Sequence, residues 1–203
     1  MAIHYHSGDL PADVLFDDSI AVDTETMGLN PSRDALCVVQ LSAGDGEAHI
    51  VQLDRDTYDC PKLRNLLADP SVTKIFHYAR FDVAFLCRYL GVQVAPIYCT
   101  KIASRLARTY TDRHGLKDLC KELLNIDLSK QQQSSDWGAE TLSEAQLSYA
   151  AADVLHLHKL RAKLDVMLVR EDRMAHAAAA FAFVPARAQL DLAGWADQDI
   201  FAH

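Results

Sequence analysis

Apolar residues fall along this chain in two rhythms. Ile20-Ala21-Val22, Leu36 to Ser42 and Ala48 to Leu53 are short runs separated by the turn formers Asn30-Pro31 and Gly44-Asp45-Gly46. They read as strands over 20–25, 36–42 and 48–53, adjacent in one sheet. Farther on, Leu147, Ala150, Ala151, Val154, Leu157 and Leu160 recur at helical spacing, and Thr141-Leu142-Ser143-Glu144 ahead of them reads as a capping box. Similar patterns predict helices over 61–68, 81–90, 101–108, 115–124, 142–165 and 170–184, with short strands over 73–77 and 95–99. Strands followed by alternating helices give an α/β class with the sheet sandwiched between helices. Nothing between 18 and 165 resembles a linker, repeat or low-complexity tract. The expectation is therefore a single domain over 1–203, with a core at about 18–165 and a helix and tail over 170–203.

Several acids interrupt this pattern where burial is expected. Asp23 and Glu25 follow directly on Ile20-Ala21-Val22, and residues two apart share one face of a strand. Tyr149 and Asp153, four apart, share one face of a helix rich in alanine and leucine. Asp82 follows Phe81 at the predicted start of another helix. Taken singly, an Asp-x-Glu is commonly a solvated strand end, and an acid in a first helical turn simply favours the dipole. Their conjunction on buried-looking elements is harder to dismiss, because an unpaired buried charge costs several kcal/mol. Carboxylates that converge need cations, and an all-oxygen donor set suits Mg²⁺ or Mn²⁺ rather than zinc. Two such ions, roughly 3.5–4 Å apart, can clamp the attacking and leaving oxygens of a phosphodiester displacement.

Asp23-Thr24-Glu25, Phe81-Asp82 and Tyr149-x-x-x-Asp153 resemble the three motifs of the DEDDy branch of 3′→5′ exonucleases, the group of ribonuclease D and proofreading domains. Gln131-Gln-Gln-Ser-Ser135-Asp136-Trp137 and Leu142 to Asp153 are similar to ribonuclease D in particular. Thr109 to Leu116 and Trp195 to Phe201 resemble the nano-RNase C type, which degrades very short RNAs, notably diribonucleotides. The resemblance spans most of 18–165 and implies a ribonuclease H-like fold, a mixed sheet flanked by helices. It further implies that Asp23 bridges both metal ions, that Glu25 and Asp153 complete the first site, and that Asp82 supports the second, through water. Tyr149 would orient the attacking water or act as its base. One departure stands in the second motif, where the family often carries an asparagine and this chain has Tyr78-Ala79.

The substrate contacts are less sharply marked. Leu29, after Gly28, resembles the leucine that wedges between terminal bases, although such a residue also serves as core. His77 is a candidate for the terminal sugar or phosphate, or else a structural histidine. Ser135 and Trp137 precede the catalytic helix, and Arg113, His114, Lys130 and Gln133 are further phosphate candidates. A net charge of −8 argues against a broad basic face for long duplexes. The stretch 101–130 nevertheless carries seven Lys or Arg against four acids, and Lys101, Arg105 and Arg108 have the spacing of one helical face.

Five scattered cysteines without a Cys-x-x-Cys spacing give no zinc or disulfide framework and suit a cytoplasmic protein. No apolar run approaches the ~20 residues of a membrane span. The tail residues Leu190, Leu192, Trp195, Ile200 and Phe201 are too apolar for a disordered end, so the tail is expected to dock on its own domain or a second copy. Resemblance to the nano-RNase C type favours a homo-oligomer, up to an octameric ring. Three functions remain in view. They are an exonuclease for short RNA, the same chemistry on longer RNA or DNA ends, and a non-catalytic nucleic-acid-binding relative. The full set of acids disfavours the last, and the absence of room for ribonuclease D's additional helical domains favours the first.

Overall fold

The computed structural model describes residues 2–129, 131–132 and 134–203. Lys130 and Gln133, two of the phosphate candidates, lie outside them. A six-stranded mixed sheet has the order β1-β4-β3-β2-β5-β6, where β1 is Ala2–Ser7, β2 Ser19–Thr26, β3 Leu36–Ser42, β4 Glu47–Gln52, β5 Thr73–Phe76 and β6 Ile97–Cys99. The strands β2, β3 and β4 form the expected antiparallel meander, with β1 joined parallel to β4 and β5 parallel to β2. Every residue of β3 is buried, as suits a central strand covered on both faces.

The helices are α1 (Pro61–Ala68), α2 (Ala79–Leu90), α3 (Thr100–Ala107), α4 (Leu116–Leu119), α5 (Glu144–Leu155), α6 (Leu157–Arg170) and α7 (Met174–Leu190). Helix α5 packs on β2, β3 and β4, while α2 packs on β3, β5 and β6.

The differences from the sequence expectations have local causes. Strand β1 was not anticipated, because an edge strand reading Ala-Ile-His-Tyr-His-Ser has no apolar run and stays half-buried. Strand β6 starts only after Ala95-Pro96, since proline has no N–H for the ladder. The helix expected over 142–165 is two helices parted at His156, a break of one residue that leaves the apolar period intact and so escapes a reading of periodicity. The span 115–124 is one α turn followed by a wider π turn over Cys120–Leu124, closed by Asn125 in the left-handed region. Helix α7 runs through Pro185 to Leu190, because Ala177, Phe181, Val184 and Ala188 keep one buried stripe across the proline.

The tail docks on its own domain through charge rather than through its aromatics. Arg80 and Arg187 both hold Asp191, and Arg187 donates to the carbonyls of Trp195 and Gln198. Phe201 lies against Phe183 but is 77% exposed.

Candidate active site

Strand alternation and one buried amide build the first half of the site. Asp23 and Glu25 project from the same face of β2, and Asp23 lies directly across from Gln40 of β3. The Gln40 side chain, fully buried in an otherwise apolar strand, donates Nε2–H to Asp23 Oδ2 at 3.0 Å and to Glu25 Oε1 at 3.4 Å. Thr24, between the two acids on the opposite face, donates Oγ1–H to Asp82 Oδ1 at 2.7 Å and so ties α2 to β2. Sequence reasoning missed both Gln40 and Thr24. The signal for Gln40 was available, since a lone amide inside Leu-Cys-Val-Val-Gln-Leu must find a buried partner.

The second half comes from α5. Its start is fixed by a capping box of Ser143 and Gln146, two residues later than the Thr141–Glu144 box the sequence suggested. With that start, Asp153 points at the β2 acids. Carboxylate oxygens of Asp23, Glu25 and Asp153 all lie within 4.8 Å of one another. Asp82, buried at the first turn of α2, stands behind this trio. Tyr149 sits one turn before Asp153, and its ring lies 6.1 Å from that of buried Trp137. Trp137 therefore acts as a wall that holds the phenol in place.

Electrostatics mark this cluster as incomplete without cations. Burial above all, then Asp82, Asp153 and Glu25, holds the Asp23 carboxyl well above the usual carboxylate range. Burial followed by Asp153 and Asp82 lifts Glu25 to about 9. Asp82 and Asp153 are lifted by burial to about 7, the first moderated by the Thr24 hydroxyl. Two ionised carboxylates at such separations repel by roughly 3.5 kcal/mol at an effective dielectric of 20. An oxygen-only set of this kind fits hard divalent cations. Asp23, Glu25, Asp153 and Asp82 are the residues that would hold two such ions, Mg²⁺ or Mn²⁺. When bound, the ions offset the acids' charge and supply an activated water and stabilisation of the leaving oxygen.

Tyr149 is not a ready base. Burial first, then the charges of Asp153, Glu25 and Asp23, push its phenol further above its ordinary value near 10. The neutral O–H is suited to hold and orient a water beside Asp153. Replacing it in Tyr149→Phe is expected to lower kcat by about 100-fold or more, within the usual range for a positioned proton-bearing group, with KM nearly unchanged. A rate within a few-fold of wild type in steady-state kinetics would remove this role.

The remaining candidates divide. Leu29 is 82% exposed on the loop after β2. Gly28 is required there by crowding rather than by a left-handed backbone, since a Cβ would sit 2.2 Å from Asp34 Oδ2. The Asp34 carboxylate caps this loop through Asn30 N–H and the Arg33 guanidinium. His77 follows β5, and its Nδ1 lies 2.8 Å from Thr100 Oγ1. Because that hydroxyl donates to Phe76 O, His77 Nδ1–H must be the donor to it, which leaves Nε2 as an acceptor. Burial, then Lys101, drives the His77 pKa down to about 3, so the ring stays neutral. Ser135 donates to Gln132 O within its own turn.

Arg113 and His114 belong to a separate loop and are engaged there, Arg113 by Asp118 and His114 by Ser104. Arg108 does not join Lys101 and Arg105 on a phosphate-facing surface. It is completely buried, held by Glu122, Ser104 and the Arg113 carbonyl, where it anchors that loop. Tyr78, at the departure in the second motif, is a left-handed residue (φ 73°) before α2, and Lys101 Nζ lies 4.1 Å above its ring.

Clustered acids on β2, α2 and α5 of such a sheet, with a tyrosine one turn from the last acid, have the donor set and geometry suited to metal-dependent cleavage of a phosphodiester. A family model described as 3'-5' exonuclease matches residues 9–169. The chain belongs to this 3′–5′ exonuclease family. It is 36% identical over 155 residues to ribonuclease D of Acidiphilium cryptum, which covers 76% of this chain and 39% of that protein. The chain thus spans about 39% of the length of this curated relative. Brucella melitensis NrnC with bound Mg²⁺ superposes with a TM-score of 0.96 at 55% identity, covering 100% of both chains. Brucella melitensis NrnC bound to pGG gives 0.97 at 56% identity, over 100% of this chain and 99% of that one. The catalytic core of Trypanosoma brucei RRP6, at 23% identity and a TM-score of 0.74, shares the ribonuclease H-like fold.

Proposed function

We propose that this protein is a 3′→5′ exoribonuclease that hydrolyses diribonucleotides and other very short RNAs to mononucleotides. The observation that carries this reading is the similarity along the whole chain to a structure of NrnC bound to pGG, joined to the convergence of Asp23, Glu25 and Asp153 with Asp82 and Tyr149 beside them. The chain's own residues divide the work. Asp23, Glu25, Asp82 and Asp153 hold the cations, Tyr149 and Asp153 orient the water, and Leu29 meets the terminal base. His77 Nε2 accepts from a sugar hydroxyl.

Phosphate recognition falls to Lys101 and Arg105 of α3, one helical turn apart. Both line a cavity of about 470 Å³ with Tyr78, Arg80, Phe183 and Arg187. Neither is held by a carboxylate among the described residues, whereas Arg108, Arg113 and Lys121 are each paired. A compact basic cleft in a chain of net charge −8 suits a short polyanion better than a long one. The cytoplasm is the compartment that fits free thiols, and no helix among the described residues is long and apolar enough to cross a membrane. The exposed tail aromatics support assembly of several copies, up to an octameric ring that would restrict access to short strands. Light scattering at micromolar concentration checks this, and a monomer would remove it.

The test of substrate length is kcat/KM for 5′-labelled RNAs of two and seven nucleotides. Preference for the shorter supports the proposal. Equal or faster trimming of the longer would favour the general exonuclease that similarity to ribonuclease D also allows. Leu29→Ala is expected to leave stability unchanged, because the side chain is exposed, and to raise KM for the dinucleotide by about 10-fold through lost apolar contact with the base.

A further inference from the structure

At the far side of the sheet from the acids, strands β1 and β4 pair in parallel with His4 directly opposite His49. Glu47 and His49, two apart on β4, share a face with His4. Ligand atoms of His4, Glu47 and His49 all lie within 4.8 Å of one another. The His4 Nε2 atom is 2.9 Å from Glu47 Oε2, and the His4 and His49 rings stack with centroids 4.8 Å apart and planes 20° from parallel. His6 extends the stack, its Nε2 lying 3.0 Å from His49 Nδ1, and Phe16 closes the other side edge-on. With β4 and β3 between β1 and β2, this cluster is separated from the catalytic acids by roughly 10 Å or more of sheet.

We propose that His4, Glu47 and His49 form a second metal site, taking one borderline divalent cation of the Zn²⁺ type and clamping edge strand β1 to β4. Two imidazole nitrogens and one carboxylate oxygen are a zinc donor set, unlike the all-oxygen set of the catalytic acids. Bonds of about 2.0–2.2 Å to one ion require the rings to turn out of their present stack, and His4 and Glu47, 42% and 50% exposed, have the freedom to turn. His6 supplies the outer hydrogen bond that such ligands use. With His49 Nδ1–H donating to His6 Nε2, the lone pair on His49 Nε2 is left for the cation.

The test is a calorimetric titration of chelator-treated full-length protein with Zn²⁺ in saturating Mg²⁺, beside thermal melts with and without Zn²⁺. Wild type is expected to take up one equivalent more than His4→Ala or Glu47→Gln, and Zn²⁺ should raise the Tm of wild type but not of these variants. Dinucleotide hydrolysis in Mg²⁺ should be unchanged, and His6→Ala should weaken Zn²⁺ binding by about 10- to 100-fold. Equal uptake and equal Tm shifts in wild type and His4→Ala would overturn the proposal. So would loss of all Zn²⁺ uptake in Asp23→Asn, which would place the ion among the catalytic acids. The exposure of His4 and Glu47 lets both variants fold, so the result does not depend on His49→Ala.

Discussion

Asp23→Asn is expected to lose hydrolysis by at least about 1,000-fold while the metal-free protein becomes more stable. Both effects have one cause. Burial first, then Asp82, Asp153 and Glu25 around it, hold the Asp23 carboxyl well above the usual carboxylate range. Replacing it leaves Gln40 a neutral partner and removes the cost of either protonating Asp23 on folding or holding its charge against repulsion from the other three acids. It also removes a ligand central to the site, and deletion of a member of a cooperating catalytic set commonly costs several orders of magnitude. The gain should appear as a rise in Tm in chelator, about 2–4 °C for each kcal/mol of repulsion relieved in a chain of this size. A variant that is inactive and also less stable without metal would show that the acids are held together by contacts rather than strained by charge.

Stability of the metal-free protein should fall as pH rises from about 6 to 9, and Mg²⁺ should flatten that slope. The sign follows from the folded-state shifts. Unfolded carboxyls titrate near 4, whereas Asp82 and Asp153 titrate at about 7 and Glu25 at about 9 in the fold. Groups raised in this way bind more protons folded than unfolded. Their contribution is complete below the unfolded value and is lost as pH passes through about 7 and then about 9. Bound cations replace the protons, so binding releases protons and is favoured at higher pH. Thermal melts at pH 6, 7.5 and 9, in chelator and in Mg²⁺, check both signs. A flat profile in chelator would contradict the electrostatic account.

The meander and the catalytic acids were legible because each rests on a periodicity. A period of two puts Asp23 and Glu25 on one face, and a spacing of four puts Tyr149 below Asp153. What sets their exact approach was hidden in pairings across the sheet. Gln40 reaches Asp23 only through the β2–β3 register, and Thr24 reaches Asp82 only because α2 packs on β3 and β5, the strands that flank β2. Arg108 misled for a related reason. Its helical spacing with Lys101 and Arg105 is real, but it caps α3 and turns inward to Glu122, a partner 14 residues away. Strand β1 was invisible because its partner, not its own composition, makes it a strand.

The most direct test of the central claim is hydrolysis of a 5′-labelled diribonucleotide, comparing wild type with Asp153→Ala in Mg²⁺ and wild type in chelator. The account predicts mononucleotide product only from wild type in Mg²⁺. Product in chelator, or from Asp153→Ala, or none under any condition, would contradict the assignment of the four acids to a metal-dependent exonuclease site.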